Sequence, residues 1–419
     1  MRYTFHGGIP VSATREVSSH EECTCFSPDT IILRGFDGHS FLPSVGDKVN
    51  KGSVLTSAAE TDKPLAISPI HGSVFEVSDG CIGIKAEPSE EAEETYLSFD
   101  EIDTPLSKTD PALLCEIIKN AGIATPLCPS GAFAVCNTVR SYEGTRRLII
   151  DCSCAEDLFL TNRYIVKNKL SELIGGIKIL IRASLAIGAV IITDDSHLKT
   201  IRALEKAVDG KTTVLLVAES KYPLSNKKIL MHATLKKECP PDKDPLDFGC
   251  GIFDAEACVA VYEALVNRRA MTERLISLGY KGRARVLSVP LGARISDIAS
   301  AYAPDAGRVA FGAFEDSVST EALGDRALTL SDRMIILKKK ARAVRSFSCI
   351  KCLRCDDVCP MYLSPYRLLL AKGKEKKLIS LGIDCCIGCN CCSAVCPAGI
   401  DIPSVFKSTD REENENDGK

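Results

Sequence analysis

The sequence has no tryptophan and few aromatic residues of any kind. Only 6% of its 419 residues are aromatic. Proteins that bind single-stranded nucleic acids stack bases on aromatic side chains, and this chain has few of these. Its formal net charge of −3 gives no overall basic field that would attract a polyanion. The composition therefore argues against nucleic acid as a partner.

Long uncharged hydrophobic runs are also lacking. The longest apolar stretch, LIGGIKILIRASLAIGAVIIT at residues 173–193, is interrupted by Lys178 and Arg182 and ends in β-branched residues. We expect it to form a helix that leads into a buried strand, because a membrane span needs about 20 apolar residues. The opening residues, MRYTFHGGIP, lack the apolar core of a signal peptide. The sequence predicts no direct membrane span, so any membrane contact is expected to come through a partner.

Cysteine, in contrast, is abundant. The chain has 21 cysteines, and ten of them lie between Cys349 and Cys396. Without an export signal we expect reduced thiols, so the dense group is expected to bind metal and not to form disulfides. The other eleven are expected to be small buried side chains, as free cysteines usually are.

Two runs within the dense group share one spacing. The runs CIKCLRCDDVCP (residues 349–360) and CCIGCNCCSAVCP (residues 385–397) both contain the pattern Cys-x2-Cys-x2-Cys-x3-Cys-Pro. In the second run, Cys385 and Cys391 fall outside the pattern. This is the spacing of bacterial ferredoxins with two [4Fe–4S] clusters, in which the fourth cysteine binds the other cluster.

The spacing therefore assigns two sets of four ligands. The first cluster is expected at Cys349, Cys352, Cys355 and Cys396. The second is expected at Cys386, Cys389, Cys392 and Cys359. Three thiolates spaced by two residues wrap a short loop around one cluster. The proline after the fourth thiolate is suited to a first helical turn, which needs no N–H there.

Zinc is the alternative metal, but zinc sites take their ligands as separated pairs and do not require a crossing cysteine. Cys385 and Cys391 are expected to pack beside the clusters, and a role as alternate ligands stays open. The residues between the two runs, SPYRLLLAKGKEKKLISLG at 364–382, are expected to be helical. Two such clusters in one small domain pass electrons and make no bonds themselves.

The residues before the cysteines change their pattern along the chain. SVGDKVNKGSVL (44–55) and AISPIHGSVFEV (66–77) alternate apolar and polar residues, which indicates strands, with a turn at Gly46. Further on, RRLIID, AVIITD and TTVLLVAE have the composition of buried strands. Helices are predicted between them, one with Asp110 as N-cap and one capped by Ser196 and ending at Gly210. Alternating strands and helices predict an α/β domain with a parallel sheet.

Two more segments complete this description. A helix is predicted at residues 254–268, and a strand, a turn and a helix at residues 284–302. The last residues, DREENENDGK, are acidic and are expected to be disordered.

The order of these segments resembles that of the RnfC family, a component of the Rnf ion-translocating oxidoreductase complex. TFHGGI (4–9), SVGDKVNKG (44–52) and SPIHGSV (68–74) match the opening and the barrel-sandwich hybrid of that family. YPLSNKKIL (222–230) resembles a Tyr-Pro segment of the family, without its Gly and Glu. LSVPLGARISDI (287–298) resembles its β-grasp SLBB element. The most specific match is CPMYLSPYRLLLA (359–371).

The resemblance implies a multidomain α/β and β fold. A barrel-sandwich hybrid is expected at residues 1–95 and an α/β domain like the flavin subunit of complex I at 96–225. An SLBB-like β-grasp region at 226–330 and a ferredoxin-type domain with two [4Fe–4S] clusters at 331–405 follow. The acidic tail is expected at 406–419.

The resemblance also implies a function. The chain is expected to be an electron-transfer subunit at the cytoplasmic face of the membrane, bound to the membrane subunits of an Rnf-like complex. Lys338 to Lys340 could dock an acidic partner such as ferredoxin or flavodoxin, or could be a solvated basic linker. Two alternatives stay open: a soluble NADH-dependent flavin and iron–sulfur reductase of the cobalamin reductase type, and a docking subunit without catalysis.

In the family, the α/β domain implies a site for FMN and NADH, and the sequence departs from it at two places. The family has a glycine-rich loop where this chain has ATPLCPSGAF at residues 124–133. Thr125, Pro126, Cys128 and Pro129 remove the space and the N–H donors that a phosphate needs. In the second motif, DCSCAED (151–157), only Glu156 remains, and an ordinary loop carboxylate is expected there. Cys154 replaces the first acidic residue, so the sequence argues against FMN and NADH binding.

Overall fold

The computed structural model describes most of the chain. The described residues are 2–11, 22–35, 40–57, 63–78, 80–87, 94–99, 105–125, 127, 131–156, 158–311, 321–324, 326–339 and 346–407. The predicted tail beyond residue 407 and four residues of the replaced glycine-rich loop (Pro126 and residues 128–130) lie outside these ranges.

A four-stranded parallel sheet forms the centre of the chain. In spatial order its strands are Cys250–Asp254, Arg147–Asp151, Ala189–Asp194 and Thr213–Ala218. The three strands predicted from RRLIID, AVIITD and TTVLLVAE are confirmed, as is their parallel arrangement. The strand Cys250–Asp254 was not predicted, because CGIFD is short and contains glycine. It lies after residue 225, where the sequence analysis ended the α/β domain, so the parallel sheet extends beyond that boundary.

Helices pack on both faces of this sheet. They are Pro111–Asn120, Gly131–Ser141, Thr161–Asn168, Leu170–Ser184, Leu198–Ala207, Lys227–Leu235 and Ala255–Val266. Ile150 and Ile191 belong to the apolar core under the helices on one face. Ile149 and Ile192, the alternate residues, belong to a second core with the helix Lys227–Leu235. Successive strand residues point to opposite faces, so both faces of these strands are apolar and buried.

The helix ends follow the sequence signals except at both ends of the helix Leu198–Ala207, which stops at Ala207, three residues before the predicted Gly210. Asp110 caps the helix Pro111–Asn120 by accepting the N–H of Ala112 at 3.0 Å, as predicted. The prediction of Ser196 as an N-cap is wrong, because His197 caps the helix Leu198–Ala207. The N–H of Ser196 is instead donated to Asp194, which turns the chain at the end of the strand. The stretch at 173–193 forms the helix Leu170–Ser184 and the buried strand Ala189–Asp194, as expected.

A six-stranded mixed sheet lies beside the carboxyl edge of the parallel sheet. In spatial order its strands are Glu321–Ala322, Ala306–Phe311, Met334–Lys339, Glu273–Tyr280, Arg283–Pro290 and Cys23–Cys25. The helix Ile295–Tyr302 packs on it, and its Ile298 is fully buried in the core of this sheet. The predicted strand, turn and helix at 284–302 are therefore present.

The N-terminal residues form a separate antiparallel sheet. Its strands in spatial order are Thr30–Arg34, Cys81–Ala86, Gly72–Ser78 and Lys48–Val49. Gly46 has a φ of +97° at the predicted turn, a conformation that favours glycine. A two-stranded pair, Ile9–Pro10 with Lys221–Tyr222, ties the N-terminus to the α/β region.

The C-terminal residues form short helices and loops. The helices are Arg354–Asp357, Pro365–Leu370, Glu375–Ser380, Cys391–Ala394 and Ile402–Lys407. Two 3₁₀ helices occur in the described part of the chain, at Pro245–Phe248 and Ile383–Cys385. In the described ranges we find no helix with the length and apolar character that a bilayer crossing requires.

Candidate iron–sulfur site

Two hollows in the C-terminal part are lined by the predicted cysteine ligands. The first, of about 360 Å³, is lined by Cys349, Cys352, Cys355 and Cys396. The second, of about 410 Å³, is lined by Cys386, Cys389, Cys392 and Cys359. Of the cysteines in the repeated pattern, each hollow thus takes the first three of one run and the fourth of the other run. The structure brings together the two sets of four that the spacing assigned.

The two runs fold into loops of the same shape. Lys351 and Leu353 in the first run have φ values of +59° and +62°. Gly388 and Asn390, at the same places in the second run, have φ values of +66° and +61°. A short helix begins directly after each loop, at Arg354 and Cys391. Alternating left-handed residues curl the loop around the hollow and turn backbone N–H groups inward, as in the anion-binding nests of other proteins.

One predicted detail of these loops is wrong. Pro360 and Pro397 do not open helices but lie in turns. Tyr362 donates its N–H to the carbonyl of Cys359 at 3.3 Å, and Gly399 donates to Cys396 at 3.1 Å. Both Tyr362 and Gly399 have positive φ values, which stop helical continuation. The next helix begins later, at Pro365 behind its cap Ser364.

The donor set and its surroundings fit iron–sulfur clusters. Each hollow offers the four predicted thiols, and the rest of its lining is mostly apolar, such as Leu368 and Pro403 in the second and Leu369 and Ile402 in the first. Thiolates are the ligands of cubane clusters, and apolar surroundings keep water away from them. Among the described residues, no three His, Cys, Asp or Glu side chains converge on a point where one ion could bind. A cubane holds its thiolates farther apart than one ion does, which agrees with cysteines that line a hollow without converging on one point.

The cysteines of this region differ in burial and in the pKa of their thiols. Burial raises the pKa of Cys355 and of Cys392 to about 12. Cys391 is fully buried and lines the second hollow as a fifth cysteine. Its thiol hydrogen-bonds to Cys389 and lowers the pKa of that group to about 7. Cys385 is half-buried in the 3₁₀ helix Ile383–Cys385 and is not among the residues that line the two hollows.

The second hollow lies against the α/β region of the same chain. The hydroxyl of Tyr222 donates to the carbonyl of Cys389 at 3.0 Å. Gly8 donates its N–H to the carbonyl of Val358 at 2.9 Å. The ring of His6 stacks on Tyr362, with ring centres 4.0 Å apart. These contacts were not predicted from sequence, although TFHGGI and the Tyr-Pro segment had been noted as family matches.

A glycine is required where the N-terminal segment meets the cluster loop. Gly7 has a φ of +60°, and a Cβ there would lie 2.7 Å from the carbonyl oxygen of Cys359. Real Cβ contacts are longer, so a side chain would push the segment off the loop. The pair Gly7-Gly8 in TFHGGI was the available sequence signal for this close approach.

The carboxyl edge of the parallel sheet is filled by the chain's own side chains. Asp151, at the end of one strand, is fully buried and pairs with Arg333 at 3.3 Å. Asp254, at the end of its neighbour, pairs with Arg274 at 3.2 Å. In open α/β sheets, ligands bind at this edge. Here buried carboxylates occupy it together with Arg274 of the mixed sheet and Arg333 directly before a strand of that sheet, which does not fit a phosphate-bearing flavin.

Two further predicted residues lie near this region. Glu156 is half-buried and its charge acts on Arg333 and Tyr222. Cys154 is buried, and burial raises its pKa to about 12. Of the predicted docking lysines, Lys339 pairs with Asp305 at 3.2 Å, Lys338 is half-buried, and Lys340 lies outside the described residues.

Comparison with known proteins defines the class of the α/β region. Residues 131–263 match the model of the Nuo51 FMN-binding domain, Complex1_51K. The match begins at residue 131, within the last three residues of the segment 124–133 that replaces the glycine-rich loop. A chain of the NAD+-reducing [NiFe]-hydrogenase in the H2-reduced state has a similar fold, with a TM-score of 0.52 and 14% identity over 74% of this chain and 61% of that chain. The central fold is therefore of the same class as the flavin-binding domain of complex I.

Curated relatives extend the similarity to most of the chain. It is 25% identical over 325 residues to the C subunit of the ion-translocating oxidoreductase complex of Buchnera aphidicola, covering 71% of this chain and 65% of that protein. The Vibrio cholerae C subunit is 24% identical over 89% of this chain and 51% of its own length. The Methanosarcina acetivorans protein of the same name is 25% identical over 81% of both chains. The chain thus spans about half to two thirds of the first two relatives, and its resemblance to the RnfC family is confirmed.

Proposed function

We propose that this chain is an electron-transfer subunit of a membrane-associated, Rnf-like oxidoreductase complex. The observation that supports this most is the pair of hollows, each lined by three cysteines of one run and the fourth cysteine of the other. The similarity to RnfC proteins over most of the chain supports the kind of complex. When bound, each [4Fe–4S] cluster takes up and gives back one electron.

The chain's own residues supply the environment for this role. Cys349, Cys352, Cys355 and Cys396 would hold the first cluster. Cys386, Cys389, Cys392 and Cys359 would hold the second. Apolar side chains that line both hollows limit the access of water, and the N-terminal segment covers the second one. These are the conditions under which a cluster is stable and its reduction potential is set by the protein.

We also propose that the chain binds neither FMN nor NADH in the way of the flavin subunits. The glycine-rich loop is replaced, and the strand-end carboxylates Asp151 and Asp254 are buried in ion pairs with Arg333 and Arg274. A phosphate placed at this edge would meet buried carboxylates, and the prolines at 126 and 129 of the replaced loop carry no N–H to donate to it. The electrons of the two clusters would therefore come from and go to partner proteins.

The proposed partners are the membrane subunits of the complex, at the cytoplasmic face, and a soluble carrier such as ferredoxin or flavodoxin. The proposed domain order is a barrel-sandwich hybrid, the α/β domain, an SLBB-like β-grasp region and a ferredoxin-type domain. The adjoining antiparallel and mixed sheets are compatible with the first and third of these.

Anaerobic purification followed by analysis of iron, sulfide and flavin tests the proposal. We expect about eight irons and eight sulfides per chain, with no flavin. Zinc, or about four irons with all ten cysteines reduced, would contradict the two-cluster assignment. A stoichiometric flavin that NADH reduces would instead favour the soluble reductase.

A further inference from the structure

The two cluster loops are built alike but are covered differently. Ile350 follows the first cysteine of the first run, and Ile387 follows the first cysteine of the second run. Each lines the hollow of its own run. Since the loops share their φ pattern, the two isoleucines occupy equivalent places. Their surroundings outside the hollow are therefore directly comparable.

The isoleucine of the second run is covered by the chain itself. Ile387 packs on the apolar cluster that contains Tyr3 and Leu224, against which Phe5 also packs. The backbone contact of Gly8 with Val358 and the bond from Tyr222 to Cys389 complete this interface. The structure thus contains one example of what docks on this loop shape: an apolar and aromatic segment that also hydrogen-bonds the loop backbone.

The isoleucine of the first run has no such cover among the described residues. Ile350 is 65% exposed, Leu353 is 46% exposed and Phe347 is 64% exposed. Ile350 and Leu353 line the first hollow from one side and reach solvent on the other. A patch of large exposed apolar side chains at one place usually marks an interaction site.

The charge around this patch indicates the kind of partner. Lys351 and Arg354 are exposed in the first loop, whereas the equivalent residues of the second loop are Gly388 and Cys391. The covered loop is therefore neutral and the exposed loop carries two positive charges. Basic residues at the rim of an apolar patch steer an acidic partner to it.

We propose that the exposed loop, residues 347–354, is the docking surface for an electron-carrier protein with an apolar centre and an acidic rim. The first cluster is then the one that exchanges electrons with this carrier, and the second is the inner one. This inference rests on the proposed function, because it needs clusters in both hollows. It replaces Lys338–Lys340 as the expected docking place, since Lys339 is engaged with Asp305.

Stopped-flow reduction of the cluster-loaded protein by reduced flavodoxin tests this surface. Flavodoxin is an acidic carrier whose flavin absorbance is distinct from that of the clusters. We expect Ile350→Glu to lower the second-order rate constant by about tenfold or more at low salt. Lys351→Glu should lower it as well and weaken its dependence on salt.

Two controls make the test specific. Ile379 is 52% exposed on the helix Glu375–Ser380 and is not among the residues lining the hollows, so Ile379→Glu should leave the rate unchanged. Reduction by dithionite, a small reductant, should be the same in all variants to within about twofold, since it needs no docking surface.

The inference is overturned if Ile350→Glu and Ile379→Glu react alike with flavodoxin. A wild-type rate that is undetectable or does not fall with added salt overturns it too. Iron content and the electron paramagnetic resonance spectrum are measured first on each protein. Missing clusters in the wild type would refute the proposed function, whereas normal clusters with unaltered docking kinetics would refute only this surface.

Discussion

The hydroxyl of Tyr222 donates a hydrogen bond to the backbone carbonyl of Cys389 at 3.0 Å, across 167 residues of sequence. Burial raises the pKa of Tyr222 above its ordinary range, and the negative charge of Glu156 adds to this effect. The hydroxyl therefore keeps its proton and remains a donor over the whole physiological pH range. This bond joins the α/β region to the loop of the second hollow.

Removing this hydroxyl should loosen the second cluster. A hydrogen bond of this kind contributes about 0.5–1.5 kcal/mol, and its loss in Tyr222→Phe leaves the Cys389 carbonyl without that partner. We expect half of the iron to be released to a chelator several times faster than in the wild type, and the other half at the wild-type rate. Tyr262→Phe, which removes the hydroxyl of a tyrosine whose ring lies beside Gly175 in the α/β region, serves as the control. Uniform release in Tyr222→Phe would show that the bond does not hold the second loop.

Gly7→Ala should detach the N-terminal segment from the same loop. A Cβ at Gly7 would lie 2.7 Å from the carbonyl oxygen of Cys359, and φ is +60°. We expect a loss of about 1–3 kcal/mol in the free energy of unfolding, measured by denaturant titration of the cluster-loaded protein. Gly373 has a φ of +73° with nothing within 4 Å of an added Cβ, so Gly373→Ala reports the backbone cost alone.

The difference in the free energy of unfolding between Gly7→Ala and Gly373→Ala measures the cost of the contact between the added Cβ and Cys359. If Gly7→Ala costs no more than Gly373→Ala, the close approach to Cys359 has no energetic consequence. The segment would then be only loosely placed on the loop.

The features that could be predicted from sequence are those set by local spacing. Cys-x2-Cys-x2-Cys-x3-Cys is read within one short loop, and its likeness to the ferredoxin spacing predicts the crossing of the fourth cysteine. Asp110 followed by Pro111 likewise marks a helix start, because the cap and the first turn are neighbours in sequence. Apolar runs such as AVIITD predict buried strands for the same reason.

The features that escaped prediction depend on residues far apart in sequence. Cys250–Asp254 becomes a strand because it pairs with Arg147–Asp151, and no local pattern encodes that partner. The contacts of Gly7 and Tyr222 with the second cluster loop arise only when the two ends of the chain meet. The positions of Pro360 and Pro397 were misjudged because positive φ values at Tyr362 and Gly399 cannot be read from residue type alone, least of all for a tyrosine.

Double substitutions can test the crossing of ligands between the runs. If Cys349 and Cys396 bind the same cluster, Cys349→Ser, Cys396→Ser and the double variant should each lose about half of the iron. Cys349→Ser combined with Cys359→Ser should lose nearly all of it, since one ligand of each cluster is removed. Iron analysis of anaerobic preparations gives the answer. Cys385→Ser is the control and should keep the full iron content.

The iron content of the two double variants distinguishes crossed ligands from the alternative in which each run holds its own cluster. If each run held its own cluster, the double variant of Cys349 and Cys396 would lose all of the iron and that of Cys349 and Cys359 only half. Reversal of the two double variants would therefore refute the assignment drawn from the hollows.

The junction between the parallel and mixed sheets contains a buried ionic group with its own pH dependence. Arg274 is 1% exposed and lies 3.2 Å from Asp254 and 3.4 Å from Glu256. Burial raises the pKa of Glu256 to about 7, against the smaller opposing effect of Arg274. Asp254 adds to the rise, and Lys169 opposes it weakly. Desolvation is the larger effect because the carboxyl group is fully enclosed and Arg274 is shared with Asp254.

Because its pKa is raised in the folded chain, Glu256 should lower the free energy of unfolding as the pH rises. Between the ordinary carboxyl pKa of about 4.5 and the folded value of about 7, the folded chain binds a proton that the unfolded chain has released. The contribution of Glu256 is therefore complete below this window and is lost through it, with a slope of up to about 1.4 kcal/mol per pH unit. Glu256→Gln should remove that slope, so the variant should gain stability relative to the wild type between pH 5 and about 7.5 in urea titrations of the loaded protein.

Glu263→Gln, on the outer part of the same helix, should follow the wild-type curve. Parallel curves for the wild type and Glu256→Gln would mean that Glu256 is ionised throughout, with Arg274 offsetting its burial.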